Sequence, residues 1–203
     1  MYVPAKFVIA QDAAWDVVRD AGAGAVVVAT PDGLASVYVP FVVSDDRRSL
    51  STHVARANPF WRAVEDGSEA LVLFVAASAY VSPTLYPSRF DDPGVVPTWN
   101  YVAAEVRGRI HVHDDHDWSA RQVRRQTENF EASRSPQWSV DDAPVDYVAR
   151  QVRAIVGISI EVTSIEGKSK LSQNRPGSDH DSVRENLRGG VWAERNVADR
   201  MDE

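Results

Sequence analysis

Cysteine is missing from this 203-residue chain, so disulfides and thiolate chemistry are excluded, and only His and carboxylates remain as candidate metal ligands. No uninterrupted apolar run is long enough to cross a bilayer, and Met1-Tyr2-Val3-Pro4-Ala5-Lys6 does not open a signal peptide. The expectation is a cytoplasmic protein with no membrane partner. Positive charge is also scarce. A formal net charge of −7 argues against a broad DNA-binding face, because neutralising phosphates needs clustered Lys and Arg. DNA stays open as a partner only through a local patch or a second protein. There is no P-loop, no Rossmann glycine fingerprint and no Gly-x-Ser-x-Gly elbow. What remains, 44% hydrophobic and 25% charged, is the composition of an ordinary globular protein. One domain over residues 1–190 with a polar, frayed tail over 191–203 is expected.

Two periodicities alternate along that domain. Ala14, Val17, Val18 and Ala21 share a helical face over residues 11–22, and Gly22 and Gly24 stop the helix. The β-branched run 25–30, the Pro31-Asp32-Gly33 turn, the run 34–43 and the run 49–53 read as a three-stranded meander. Further strands are expected at 70–75, 97–112 and 157–165, with a short helical connection at 58–66. Amphipathic helices are expected near 117–132, 144–155 and 179–188. Many antiparallel strands with few helices predict an α+β, mainly β protein built on a barrel.

Several clusters could carry chemistry. Gly167-Lys168-Ser169-Lys170-Leu171-Ser172-Gln173-Asn174-Arg175 places three cations and several neutral donors in nine residues at a strand end, which suits a fixed anion. The same composition also fits a solvated turn. Ser51-Thr52-His53-Val54-Ala55-Arg56-Ala57-Asn58-Pro59 ends a strand in hydroxyls and an imidazole. Arg56 follows, beside a helix start in which Asn58 would be the N-cap and Pro59 the first helical residue. That pairing could hold a phosphate or be a capped turn with Arg56 in solvent. Tyr80-Val81-Ser82-Pro83 and Trp99-Asn100-Tyr101 offer aromatic surface for a planar ligand or for packing. His111 through Asp117 mixes imidazoles and carboxylates, but an Asp run before Trp118 fits helix capping better than a metal.

Taken together, Met1-Tyr2-Val3-Pro4 with Phe7, Thr52 to Pro59, Tyr80 to Pro83, Val96 to Tyr101 and Gly167 to Arg175 resemble the PaiB-like, FMN-binding negative transcriptional regulators. That resemblance implies a six-stranded antiparallel split β-barrel of the FMN-binding type, related to pyridoxamine 5′-phosphate oxidase. It also implies a homodimer with flavin sites at the subunit interface. Carried over residue by residue, Thr52, His53, Arg56 and Asn58 would lie near the flavin phosphate and ribityl chain. Tyr80 and Ser82 would line the next strand, and Lys168, Lys170, Ser172, Gln173 and Arg175 would approach the flavin or the partner subunit.

Three functions follow from this reading. A flavin-binding regulator, responsive to flavin or redox state, is preferred. An FMN-dependent oxidoreductase using NAD(P)H is the alternative, and a flavin-free binding or scaffold module is the third. No catalytic residue and no metal ligand is assigned.

Overall fold

The computed structural model describes residues 1–202. Eight strands and six helices alternate in the order β1 (Val8–Ile9), α1 (Gln11–Ala21), β2 (Ala23–Thr30), β3 (Gly33–Pro40), β4 (Val42–Val43), β5 (Ser49–Ala55), α2 (Phe60–Ala63), β6 (Glu69–Val81), β7 (Thr98–His113), α3 (His116–Glu131), α4 (Val145–Arg153), β8 (Ile155–Lys170), α5 (Gly177–Arg188) and α6 (Trp192–Arg200). The strands form one antiparallel sheet in the order β3-β2-β6-β7-β8-β5-β4, with β1 on β8. This is the expected α+β class. The strand count is eight rather than six, the two extra strands being the two-residue β1 and β4.

The chain folds as two compact units. One, here the ring unit, comprises Gly22–Leu73 and Val106–Ile165; the other, the terminal unit, comprises Met1–Ala21, Phe74–Glu105 and the chain from Glu166 onward. Strands β6, β7 and β8 contribute residues to both.

In the ring unit, β2 and β3 form a hairpin with Thr30 paired to Gly33 across Pro31 and Asp32. Gly33 has φ +114°, a conformation other residues rarely adopt, which explains glycine there. The expected three-stranded meander is corrected: the run 34–43 breaks at Phe41 into β3 and β4, and β5 pairs with β4 and β8. Phe41 turns inward, 4% exposed, and its amide donates to Gly22 O at 2.8 Å. Because β3 and β4 are the edges of the sheet yet consecutive in the chain, the covalent link through Phe41 closes the strands into a ring. The interior is β-branched and aliphatic: Val26, Val72, Val106, Ile110, Val156 and Ile158 are all fully buried. Helix α3 packs on β4 and β5. Its Trp118 ring lies where a Cβ on Gly157 would fall, 2.1 Å from a ring carbon, so glycine is required at 157.

In the terminal unit, Ala14, Trp15, Val17 and Val18 form the buried face of α1. The chain beyond Gly190 is not a frayed tail. It forms α6, which buries Val197 and Ala198, and Asn196 Nδ2 donates to Ala76 O at 2.8 Å. The low hydropathy of Trp192–Arg200 conceals the helix, because few apolar residues on one face suffice to dock it. Strand β8 continues past Ile165 through Lys170, so the first half of the basic cluster is strand. Gly167 pairs with Ile9, and a Cβ there would meet Ile9 Cγ1 at 2.5 Å; close approach of two elements, not ligand contact, accounts for it. No helix among the described residues is long and apolar enough to cross a membrane.

Candidate functional site

The eleven residues expected to hold the flavin divide between the units, Thr52, His53, Arg56 and Asn58 in the ring unit and the other seven in the terminal unit.

In the ring unit, Thr52 is fully buried, and its Oγ1 has no hydrogen-bond partner; the buried Nδ1 of His53 has none either. Burial pushes the His53 imidazole below its ordinary range, opposed by a hydrogen bond with Gln126. Arg56 is already engaged. Its Nε donates to Arg153 O at 2.9 Å, and its Nη2 donates to Ile155 O at 3.1 Å and to Asp114 Oδ1 at 2.6 Å. The Asp114 carboxyl is held below the usual range, first by that hydrogen bond. Asn58 Oδ1 accepts from Phe60 N at 3.0 Å, while Pro59 takes the cap position of α2. The helix expected over 58–66 is a single turn of four residues, because Val64 turns to extended backbone at φ −88° and ψ 130°. One turn sums little dipole, so this helix end by itself exerts only a weak pull on a phosphate.

The His111–Asp117 segment resolves as capping. Asp115 Oδ1 accepts from Trp118 N at 2.6 Å and starts α3. His113 stacks on Trp118 at 4.2 Å and 8°, with Nε2 2.8 Å from Ser159 Oγ.

The terminal unit treats its cations differently. Lys168 and Lys170 lie on one face of β8, since side chains two apart in a strand point the same way. Lys168 Nζ donates to Tyr2 O at 3.1 Å and lies 5.1 Å from the centre of the Tyr101 ring. Lys170 Nζ donates to Thr98 Oγ1 and Trp99 O, both at 2.6 Å. Arg175 lies over the fully buried Tyr86 ring at 4.4 Å. Among the described residues, none of these three cations forms an ion pair. Burial first, then the positive charges of Lys168 and Arg175, pulls the Lys170 ammonium below the ordinary lysine range. Lys170 therefore feels two other positive charges while its own hydrogen bonds go to neutral oxygens.

The structure does not give every member of the basic cluster that freedom. Ser172, at φ +66° and 3% exposed, exchanges hydrogen bonds with the Asn100 side chain at 3.0 and 3.2 Å. Gln173 braces the turn, accepting from Leu171 N at 2.7 Å and donating to Ser169 O at 2.8 Å. Ser82 caps the 3-10 turn Pro83–Leu85, accepting from Thr84 N at 3.2 Å. Tyr80 is 48% exposed, and its ring tilts against Trp99, itself 51% exposed, at 6.0 Å. Aromatic faces are thus available in the same unit as the cations. Sequence reasoning missed the Arg175–Tyr86 stack, which leaves no local signal because it joins distant stretches of chain. Fully buried, Asp179 accepts from Ser88 N at 3.0 Å and from Ser88 Oγ at 2.7 Å, tying α5 to the segment after Tyr86.

The fold is that of an α+β protein of the split-barrel type, and Lys168 and Lys170 place their ammonium groups on neutral oxygens. The chain belongs to the family described as "Putative FMN-binding domain", whose profile matches residues 1–164. It is 31% identical over 190 residues to the Bacillus subtilis "Protease synthase and sporulation protein PAI 2", covering 92% of this chain and 89% of that one. Among solved structures, the "FAD and Heme binding protein" from Mycobacterium smegmatis superposes with a TM-score of 0.60 at 16% identity, over 91% of this chain and 80% of the other. The "Flavocytochrome Anf3" from Azotobacter vinelandii gives 0.61 at 12% identity, over 85% and 73%. At those identities the two structures support the fold.

Proposed function

We propose that this protein binds FMN with its phosphate on Lys168, Lys170 and Arg175, and acts as a homodimeric, flavin-responsive regulator. The observation that carries the reading is that Lys170 donates only to the neutral Thr98 Oγ1 and Trp99 O while the charges of Lys168 and Arg175 act on it, and none of the three is ion-paired among the described residues. A phosphate of about −2 charge relieves that repulsion and accepts charge-assisted hydrogen bonds. The family description supplies the ligand class. Tyr80 and Trp99 offer exposed ring surface to an isoalloxazine or to a second subunit. When bound, FMN supplies redox chemistry, while the protein contributes binding, orientation and charge. A bound phosphate would draw the Lys170 ammonium back toward the ordinary lysine range, which couples flavin affinity to pH. A regulatory role draws support from the Bacillus relative, whose name refers to protease synthesis and sporulation. The net charge of −7 favours control through a partner or metabolite over broad DNA contact.

The test is an absorbance spectrum of purified protein with and without added FMN, followed by titration of wild type, Lys170→Ala and Arg175→Ala. Tight binding in wild type and weakening in both variants supports the assignment. Binding unchanged in both variants overturns the placement, and loss on changing Thr52 or His53 instead would move the site to the ring unit. Rapid bleaching of bound flavin by NADH or NADPH would replace regulation with an oxidoreductase function.

A further inference from the structure

Helix α4 carries an apolar stripe that the fold leaves largely uncovered. Val145, Val148, Ala149 and Val152 recur at helical spacing, yet only Val152 is buried, and Val145 is 83% exposed. The stripe forms one wall of a cleft of about 350 Å³ in the ring unit, and α3 supplies another. Ala120 of α3 and Ala149 of α4 are small and leave the cleft its width. Buried Val140, in the 3-10 turn Val140–Asp142, adds apolar surface.

Two polar clamps fix the helices around this space. Arg56 donates to Asp114 Oδ1, two residues before α3, at 2.6 Å and to the backbone oxygen of Arg153, the last residue of α4, at 2.9 Å. The Arg124–Asp141 ion pair, at 2.7 Å, joins the middle of α3 to the turn before α4. The start of α3 therefore lies beside the end of α4. Neither clamp uses the valine stripe, so the cleft is formed in advance of any ligand.

Charge is distributed unevenly along it. Toward the start of α4, Arg124 and Asp141 neutralise each other. Toward the other end the charged or titratable lining groups are His116, Asp117 and Arg153. Asp117 stands in the first turn of α3, where the helix dipole favours an acid. The exposed Arg153 side chain has no ion pair and no hydrogen bond among the described residues; only its backbone oxygen is engaged.

We propose that this cleft binds a medium-chain aliphatic carboxylate, its hydrocarbon along the valines of α4 and its carboxylate on Arg153. From Val145 to Val152 the helix rises about 10 Å, matching an extended chain of about eight carbons. Valine and alanine make the walls, which suits a flexible hydrocarbon better than a flat ring that stacks on aromatic faces. The guanidinium fork donates two parallel hydrogen bonds to a carboxylate. Lys168, Lys170 and Arg175 take no part, so the site does not rest on the flavin reading.

Calorimetric titration of the 203-residue chain with octanoate, octanol and octylamine tests this, since the three differ only in the head group. Octanoate should bind once per chain, about tenfold tighter than octanol, and octylamine should bind most weakly. Hexanoate should bind roughly tenfold more weakly than octanoate, the effect of two fewer buried methylenes. Arg153→Gln should bring octanoate down to the affinity of octanol and leave octanol unchanged, with Arg153→Lys restoring part of the difference. Ala149→Leu fills the cleft and should abolish binding of both without lowering the melting temperature. If that variant fails to fold, the octanoate-to-octanol ratio in Arg153→Gln still decides, because the Arg153 side chain is exposed. No saturable binding at millimolar octanoate, tightest binding of octylamine, or binding unmoved by either variant overturns the proposal. Dimerisation that Ala149→Leu abolishes, with no octanoate bound by wild type, would give the cleft to a second copy and overturn it as well.

Discussion

Arg56 in the ring unit and the Lys168–Lys170–Arg175 group in the terminal unit look alike as sequence, each a basic element beside a strand end with polar neighbours. Their surroundings are opposite. Arg56 reaches two backbone carbonyls and Asp114, so its hydrogen bonds go to holding the start of β8 and the end of α4. The terminal cluster has neutral acceptors and like charges, and Lys170 is held below its ordinary range. A cation with its counter-ion is structure; a set of cations lacking one is poised for a ligand. The orphaned Thr52 Oγ1 and His53 Nδ1 keep the ring unit from being wholly satisfied, but they are neutral groups and exert a weaker pull on an anion.

The comparison breaks most visibly in ligand affinity. The double change Lys170→Ala and Arg175→Ala should weaken FMN binding about 100-fold or more, each charge-assisted contact contributing roughly 1.5–3 kcal/mol. Arg56→Ala should lower the melting temperature yet leave FMN affinity within about threefold, since only ring-unit contacts are lost. Fluorescence titration beside thermal melting reads both, and the reverse pattern would exchange the roles of the two regions. Second in size is Gly157→Ala, which drives a methyl into the Trp118 ring and should cost about 1–3 kcal/mol in urea unfolding. A cost near zero would show that α3 can slide on the ring.

Smaller effects come from pH. FMN affinity should fall as pH rises through the depressed Lys170 range, because the ammonium that grips phosphate is lost there; Lys170→Arg should flatten that slope. Smallest is the histidine contribution to stability. His53 and His113 are both pushed down, chiefly by burial. Their neutral forms suit the fold, so the stability is complete above the ordinary histidine range and declines as pH falls through their lowered values. Melting curves between pH 8 and pH 5 should show a shallow decline that a His113→Phe variant reduces. A profile identical in the variant would leave His53 and the carboxylates as the source.

Much of the fold was legible because its signals are local. The helical spacing of Ala14, Val17 and Val18, the Pro31-Asp32-Gly33 turn and the Asp115 cap each act within a few residues. Where the reading failed, the deciding partner was distant. Phe41 breaks an apolar run in two so that β4 can join β5, and α6 docks a mostly polar stretch through Val197 and Ala198. The candidate site was legible only as a list of donors. Ser172 and Gln173 belong to the turn itself, Ser82 to a cap and Arg56 to α4 and Asp114.

By itself the sequence determined the class of protein, the helices and turns, and the presence of cations near residues 168–175, because composition and short-range periodicity act through neighbours along the chain. Tertiary structure alone decided which cations are neutralised. Arg56 meets a carboxylate 58 residues away, and Lys170 meets only neutral acceptors 72 and 71 residues away. Coulomb energy depends on distance in space and on local dielectric, and neither is written in the spacing of residues.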